Sequence, residues 1–347
     1  MPNSIFREAS GTGQKVLVTG GAGYIGSHVA RELCDRGFEV TVLDLLREKG
    51  GTGNHWAVPK KAKFVQGDVG DVGLLAELLP KGDRFDAILH FAAFILVEES
   101  VREPERYFRN NTEGSRALFQ YAADTGVAKV IFSSTAATYG EPRHDLIPET
   151  AEQKPVNPYG ESKLRSEKLL KEILGATGGK TKFVGLRYFN PAGAHHSLEI
   201  GQARPEATHL VNVAAEAAME KRSKVMIFGT DYETPDGTCL RDYIHIEDLV
   251  DAHILALDYL NGGVSDFFNV GYGEPYSVRE VIDSMKRASG VNFPVEISGR
   301  RAGDPAKLAA DSRKIQEKMG WSPKRKSIDE ICRSQFLWEK RRVELGV

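Results

Sequence analysis

The sequence predicts an α/β protein: a doubly wound parallel sheet covered by helices on both faces, with a smaller α/β lobe. Three observations predict it. From Lys15 onward short apolar runs alternate with longer amphipathic stretches, a glycine-rich turn stands where the first run gives way to the first amphipathic stretch, and after Asn190 the alternation breaks into loop-rich chain. Strands separated by single helices pair in parallel through right-handed crossovers, so both sheet faces must be covered.

The expected strands are 15–19 (KVLVT), 39–44 (EVTVLD), 63–67 (KFVQG), 87–91 (AILHF), 129–134 (KVIFSS) and 183–189 (FVGLRYF). Between them, apolar residues recur at three and four positions over 25–36, 72–79, 105–125 and 158–174, the helical period. Beyond Asn190 the pattern predicts a helix near 209–221, a strand at 225–229 (VMIFG) and turns at 234–238 (TPDGT). A helix over 246–259 and a strand at 266–271 (DFFNVG) then return to the sheet, and a final segment carries VEIS at 295–298. The expected division is interleaved. Residues 1–14 form a loose extension, 15–190 and 239–271 the domain of the main parallel sheet, and 191–238 and 272–347 the smaller lobe.

A length of 347 residues fits about two domains. Lys plus Arg total 46 against 48 for Asp plus Glu, too even a balance for a broad nucleic-acid-binding field. The longest apolar run, 87–97, is interrupted by His90 and falls short of the roughly 20 residues a membrane helix needs. Three scattered cysteines with no CxxC point away from a disulfide framework or structural zinc and toward a reducing compartment. The N-terminus has no apolar stretch of the secretory kind, so the expected location is the cytoplasm.

In VLVTGGAGYIGSH (16–28), Gly20, Gly23 and Gly26 lie between the first strand and the first helix. Without a Cβ such a turn brings its backbone close to a pyrophosphate, and the helix starting near Tyr24 and Ile25 points free N–H groups at that anion. Asp44 ends the second strand 18 residues after Gly26, where its carboxylate accepts hydrogen bonds from ribose hydroxyls and repels a 2′-phosphate. The expected cofactor of this Rossmann unit is therefore NAD. Asp68 and Val69 end the third strand on the same side, where Asp68 either meets the adenine amine or caps a helix. In HFAA (90–93), Phe91, Ala92 and Ala93 let the backbone approach a cofactor, and His90 reads as a satisfied core histidine.

PYGESK (158–163) sets Tyr159 and Lys163 four residues apart, on one helix face. Lowering a tyrosine pKa from about 10 to about 7 takes roughly 4 kcal/mol of phenolate stabilisation. A neighbouring ammonium and the positive ring of an oxidised nicotinamide both act in that direction. Such a tyrosine serves as general base toward a sugar hydroxyl. SSTAATYG (133–140) brings the Thr135 hydroxyl to the same C-terminal sheet edge, so Thr135, Tyr159 and Lys163 make a constellation for hydride chemistry.

With these motifs the sequence resembles the extended short-chain dehydrogenase/reductase family, and within it the UDP-galactose (UDP-glucose) 4-epimerases. The resemblance runs from about Lys15 to Trp338 and includes ESV (99–101) with NN (110–111), LRYFNPAGAH (186–195), TDYETPDGTCLRDYIHIEDL (230–249) and GRRAGDPA (299–306). It implies resident NAD, with Tyr24, Ile25, Asp44, Asp68, Val69, Asn111, Tyr159, Lys163 and Phe189 among its contacts. It also implies a UDP-sugar held by Asn190, His209, Leu210, Phe228, Arg241, Arg301 and Asp304, with Leu308 at the position whose bulk limits the C2 substituent. The guanidinium forks of Arg241 and Arg301 suit a diphosphate. The implied assembly is a homodimer pairing 105–125 and 158–174.

The chain departs from the family at several points. Leu45, Leu46 and Arg47 follow Asp44 where Asn and a Ser- or Asn-containing stretch are frequent, Ile95 replaces a lysine that faces the cofactor phosphates, and Glu98 replaces a glycine. His209 stands where some members carry Asn. The implied reaction is inversion at C4 through a transient 4-keto sugar. A nucleotide-sugar 4,6-dehydratase is disfavoured because Ala136 and Ala137 stand where dehydratases carry an acid, and a non-catalytic NAD-sensing regulator because the Tyr–Lys pair is intact. His195, His196 and Glu199 suggest a metal site on paper, but adjacent histidines rarely converge on one ion and the family uses none here, so no metal is expected.

Overall fold

The computed structural model describes residues 13–46, 54–204, 207–301 and 303–347. Most of the expected N-terminal extension, and Arg47, lie outside the described residues.

The first half runs β1 (Lys15–Thr19), α1 (Tyr24–Asp35), β2 (Glu39–Asp44), β3 (Lys63–Gln66), α2 (Val72–Glu77) and β4 (Ala87–His90). It continues through α3 (Val97–Arg102), α4 (Pro104–Tyr107), α5 (Gly114–Thr125), β5 (Lys129–Thr135), α6 (Pro158–Gly175) and β6 (Lys182–Tyr188). The second half contains β7 (Asn190–Ala192), α7 (Leu210–Ala218), β8 (Val225–Phe228), β9 (Leu240–Arg241), β10 (Tyr243–His245), α8 (Ile246–Tyr259) and β11 (Asp266–Val270). It ends with β12 (Tyr276–Ser277), α9 (Val278–Ser289), β13 (Val295–Ser298), β14 (Lys307–Leu308), α10 (Arg313–Met319) and α11 (Ile328–Leu345).

Seven strands form one parallel sheet in the order β11-β6-β5-β4-β1-β2-β3. Alternation along each strand divides the core. Val16 and Val18 of β1 face Val29 and Leu33 of α1 and Leu249 and Ala252 of α8, whereas Leu17 faces the other way, among Leu118 and Phe119 of α5 and Leu169 and Leu170 of α6. Strand order reverses between β1 and β4, which opens a crevice at their C-terminal ends.

The expected helix over 105–125 is interrupted. It begins as α4, passes through a π-type turn at Phe108–Glu113 and continues as α5. That turn carries Asn110 and Asn111; such insertions shift the helix register and often occur at functional sites. Three helices, α9, α10 and α11, occupy the final segment, where the sequence reading named only VEIS. One had a legible start: the Ser277 side chain accepts from the Glu280 N–H while the Glu280 carboxylate accepts from the Ser277 N–H, a capping box. Smaller sheets, β7 with β10, β8 with β13, and β12-β9-β14, build the rest. Buried Asp242 ties several of these loops together, its carboxylate accepting from the N–H groups of Tyr272, Gly273 and Ala310.

Candidate active site

The glycine turn closes tightly at the crevice. Gly20 donates its N–H to Leu43 O at 2.8 Å and has φ +70°, and a Cβ there would lie 2.6 Å from Ala92 N. A Cβ on Gly26 would lie 2.2 Å from Gly20 O. Neither position accepts a side chain without moving backbone. Helix α1 then starts with Gly23 at its N-cap and no side-chain cap, so its first N–H groups remain available to an anion. The Asp44 carboxylate accepts from Ala22 N and Leu46 N, each at 3.0 Å. Its pKa is raised by burial and pulled back by these N–H groups, and an ionised carboxylate has lone pairs left for ribose hydroxyls.

The catalytic candidates meet across β5 and α6. Asn157 caps α6 by accepting from Gly160 N at 2.9 Å, and Pro158 occupies the first helical position. A Cβ on Gly160 would lie 2.5 Å from Ala137 O, so glycine there lets the helix start come down onto the end of β5. Thr135 ends that strand, its hydroxyl accepting from Ala137 N at 3.1 Å. Burial raises the Tyr159 pKa and hydrogen bonding by the Thr135 hydroxyl opposes the rise. Lys163 is buried, donates from Nζ to Ser133 O at 2.8 Å, and lies 5.0 Å from the Phe132 ring centroid. Its pKa falls to about 7 because burial penalises the ammonium, with Glu167 opposing. Without a cofactor in place burial pushes the phenol up and the protein group that opposes the rise is Thr135; the lowering expected from a charged nicotinamide belongs to the NAD-bound state.

These elements line one cavity of about 400 Å³, within the range of small-molecule sites. Its wall carries Gly20, Gly23, Tyr24, Ile25, Gly26, Asp44, Asp68, Val69, Phe91, Ala92, Ala93, Thr135, Tyr159, Lys163 and Phe189, all expected on the cofactor side. Asn190, His209, Arg241 and Leu308, expected on the substrate side, share it.

Five expected residues lie off that wall. Asn111 is buried and committed to the protein: its side chain pairs with both backbone groups of Phe94, with Ser162 Oγ and with Asn110 Nδ2, and Asn110 lines the cavity instead. Leu210 begins α7 and packs on the core. Asp304 forms an ion pair with Arg241, and Arg301 stacks its guanidinium 3.7 Å from the Phe228 ring centroid. Arg301 also stands 3.7 Å from Glu98 in the first turn of α3.

Sequence reasoning missed Ser133, Tyr188, Gln202 and Arg204 on the wall. Ser133 offers Lys163 a backbone carbonyl, which no residue type reveals. Tyr188 bonds the Nε2 of buried His253 at 2.5 Å, a pairing 65 residues apart. His90 is a satisfied core histidine, bonded to Thr19 Oγ1 at 2.7 Å and Ser115 Oγ at 2.9 Å.

The cavity fits NAD: the Gly20–Gly26 cradle has no room for side chains, an uncapped helix start faces it, and the half-buried Asp44 carboxylate ends β2 on its wall, where a ribose would be held. The profile of the NAD dependent epimerase/dehydratase family matches residues 16–271. A UDP-glucose 4-epimerase of Azospirillum brasilense is 47% identical over 327 residues, covering 94% of this chain and 92% of that protein. The structure of the UDP-Glc/GlcNAc 4-epimerase from Campylobacter jejuni superposes with a TM-score of 0.81 at 48% identity, covering 95% of this chain and 100% of that one. The UDP-glucose 4-epimerase of Bifidobacterium longum, in complex with NAD+ and UDP, gives a TM-score of 0.87 at 35% identity, covering 95% and 99% of the two chains.

Proposed function

The chain belongs to the NAD dependent epimerase/dehydratase family, and from that premise we propose that it is an isomerase interconverting UDP-glucose and UDP-galactose by inversion at C4, with NAD as its cofactor. The observation that carries this is the shared cavity: Thr135, Tyr159 and Lys163 line the same space as the glycine turn and as Arg241.

In this reading Gly20, Gly23, Gly26 and the start of α1 hold the cofactor diphosphate, and Asp44 holds the ribose. NAD held there would supply reversible hydride acceptance for the chemistry at C4. Tyr159 takes the 4-hydroxyl proton, directly or through Thr135, and later gives it back. Lys163 fixes α6 against β5 through Ser133 O and adds positive charge beside the phenol when protonated. On the substrate side, Arg241 with Asp304, and Arg301 on Phe228, hold the uridine diphosphate. A 4-keto sugar anchored only through its UDP turns about that link and presents its other face. Ala136 and Ala137 place no acid beside Thr135, which weighs against elimination of water.

The N-acetylhexosamine pair is a second reading. Leu308 lies on the wall where a larger side chain would fill space, and the Campylobacter relative is described as acting on both UDP-Glc and UDP-GlcNAc. The interleaved division, with 15–190 and 239–271 as the cofactor domain, is supported by β11 pairing with β6 in the main sheet. A homodimer paired through 105–125, which runs from α4 through the π-type turn to α5, and 158–174 of α6 rests on their length and amphipathic pattern. Among the described residues no helix is long and apolar enough to cross a membrane. The cytoplasmic reading rests on three cysteines that are all buried and unpaired.

The test is to incubate purified protein with each UDP-sugar separately, adding no NAD, and to resolve the products by chromatography. Interconversion of UDP-glucose and UDP-galactose is the expected result. Failure to convert any UDP-hexose overturns the reading.

A further inference from the structure

We infer that His195, His196 and Glu247 form a site for a divalent first-row transition-metal ion such as Zn²⁺, outside the cavity described above. By sequence the two histidines stand beside Glu199, but that carboxylate is taken by Arg31 in an ion pair. The structure supplies another carboxylate, from the first turn of α8. One ligand atom from each of His195, His196 and Glu247 lies within 4.8 Å of the others. Glu247 Oε1 is 2.5 Å from His196 Nδ1 and 3.9 Å from His195 Nε2. Bond lengths near 2.0–2.1 Å put neighbouring ligands of a tetrahedral ion about 3.4 Å apart, so a bound ion would open the short His196–Glu247 hydrogen bond and draw His195 toward Glu247.

The surroundings complete the case. Glu247 Oε2 is 2.5 Å from Arg325 Nε, which leaves Oε1 turned to the histidines. His195 Nδ1 lies 2.8 Å from Ser197 Oγ and 3.1 Å from the Ser197 N–H. The Ser197 N–H donates to Nδ1, so without an ion the ring proton sits on Nε2; an ion at Nε2 displaces that proton, and Nδ1, once protonated, donates to Ser197 Oγ.

An independent observation comes from His28. It is 2% exposed, its Nδ1 donates to Tyr24 O at 2.7 Å, and its Nε2 therefore carries a buried lone pair with no hydrogen-bond partner. Its ring lies 6.1 Å from the His195 ring, so a further imidazole adjoins the cluster. Nitrogen-rich ligation with one carboxylate suits Zn²⁺, Ni²⁺, Co²⁺ or Cu²⁺ and not the oxygen-seeking Mg²⁺ and Ca²⁺. The side chain of His196 is 70% exposed, so water has access to a remaining coordination position. A bound ion clasps the 193–201 loop to α8. Through the bond from Tyr24 Oη to Gly193 O, it also stiffens the start of α1 beneath the cofactor turn.

The test titrates Zn²⁺ into untagged, chelator-treated holoenzyme by calorimetry, with thermal unfolding followed in parallel. One equivalent per chain and a raised Tm are expected. His196→Ala alters an exposed side chain, and should weaken binding at least tenfold and abolish the Tm rise. His144→Ala, at another exposed histidine, should leave both unchanged. Glu247→Gln provides a second arm and should also weaken binding. Absence of saturable binding, or equal affinity in the wild type and His196→Ala, overturns the site.

Discussion

Lys163 donates from Nζ to the carbonyl of Ser133 at 2.8 Å, tying the helix that carries Tyr159 to the strand that ends in Thr135. That bond registers the two elements that carry the hydroxyls proposed for the proton chemistry. It also takes the ammonium into the protein interior, which is why its proton affinity falls.

Tyr159→Phe removes the only hydroxyl on its ring and leaves the nucleotide anchors in place. Turnover should fall by about 10²- to 10⁴-fold, the usual worth of a general base, while UDP affinity measured by calorimetry stays the same. Near-normal turnover would show that the base is another group.

Lys163 makes stability depend on pH in a definite direction. Its folded pKa of about 7 lies below the ordinary 10.5, so between these values the unfolded chain binds a proton that the folded chain lacks. The cofactor-free protein should therefore gain stability as pH rises above 7, by at most about 1.4 kcal/mol per pH unit from this group. Urea unfolding of wild type and Lys163→Met at pH 7, 8 and 9 checks the sign. The difference between them should shift in favour of the wild type as pH rises, and parallel profiles would refute it.

Arg241→Ala breaks a partly buried ion pair with Asp304 and removes a guanidinium from the cavity wall. Charged hydrogen bonds contribute about 1.5–3 kcal/mol, so KM for the UDP-sugar should rise roughly 10- to 100-fold, with a smaller change in kcat. A fall in kcat at constant KM would place Arg241 in the chemistry instead of the anchoring.

Leu308→Tyr should divide the sugars. Added bulk at the wall should suppress any conversion of UDP-N-acetylhexosamines while UDP-glucose and UDP-galactose still interconvert. Equal effects on both pairs, read by product chromatography, would remove Leu308 from the specificity argument.

Elements with strong local pattern were legible to within a residue or two. EVTVLD is β2 over Glu39–Asp44, and α8 spans Ile246–Tyr259 as its periodicity predicts. The interruption at Phe108–Glu113 was not legible, because a π-type turn keeps the composition of a helix and changes only its register. Asn111 shows the same limit at the level of a side chain. Its type suits a ligand contact, yet its hydrogen bonds run to Phe94 and Ser162, partners that folding alone brings near.

By itself the sequence determined what depends on near neighbours along the chain: the glycines that make the turn, the Asn157–Pro158 helix start, and the spacing that sets Tyr159 and Lys163 on one face. Tertiary structure alone decided which carbonyl receives the Lys163 ammonium, which carboxylate meets His195 and His196, and in which direction burial moves the Tyr159 proton. The physical reason is range. Backbone conformation is set by torsions and contacts a few residues apart, whereas proton affinity and ion pairing follow distance and solvent exclusion between segments the chain joins only when it folds.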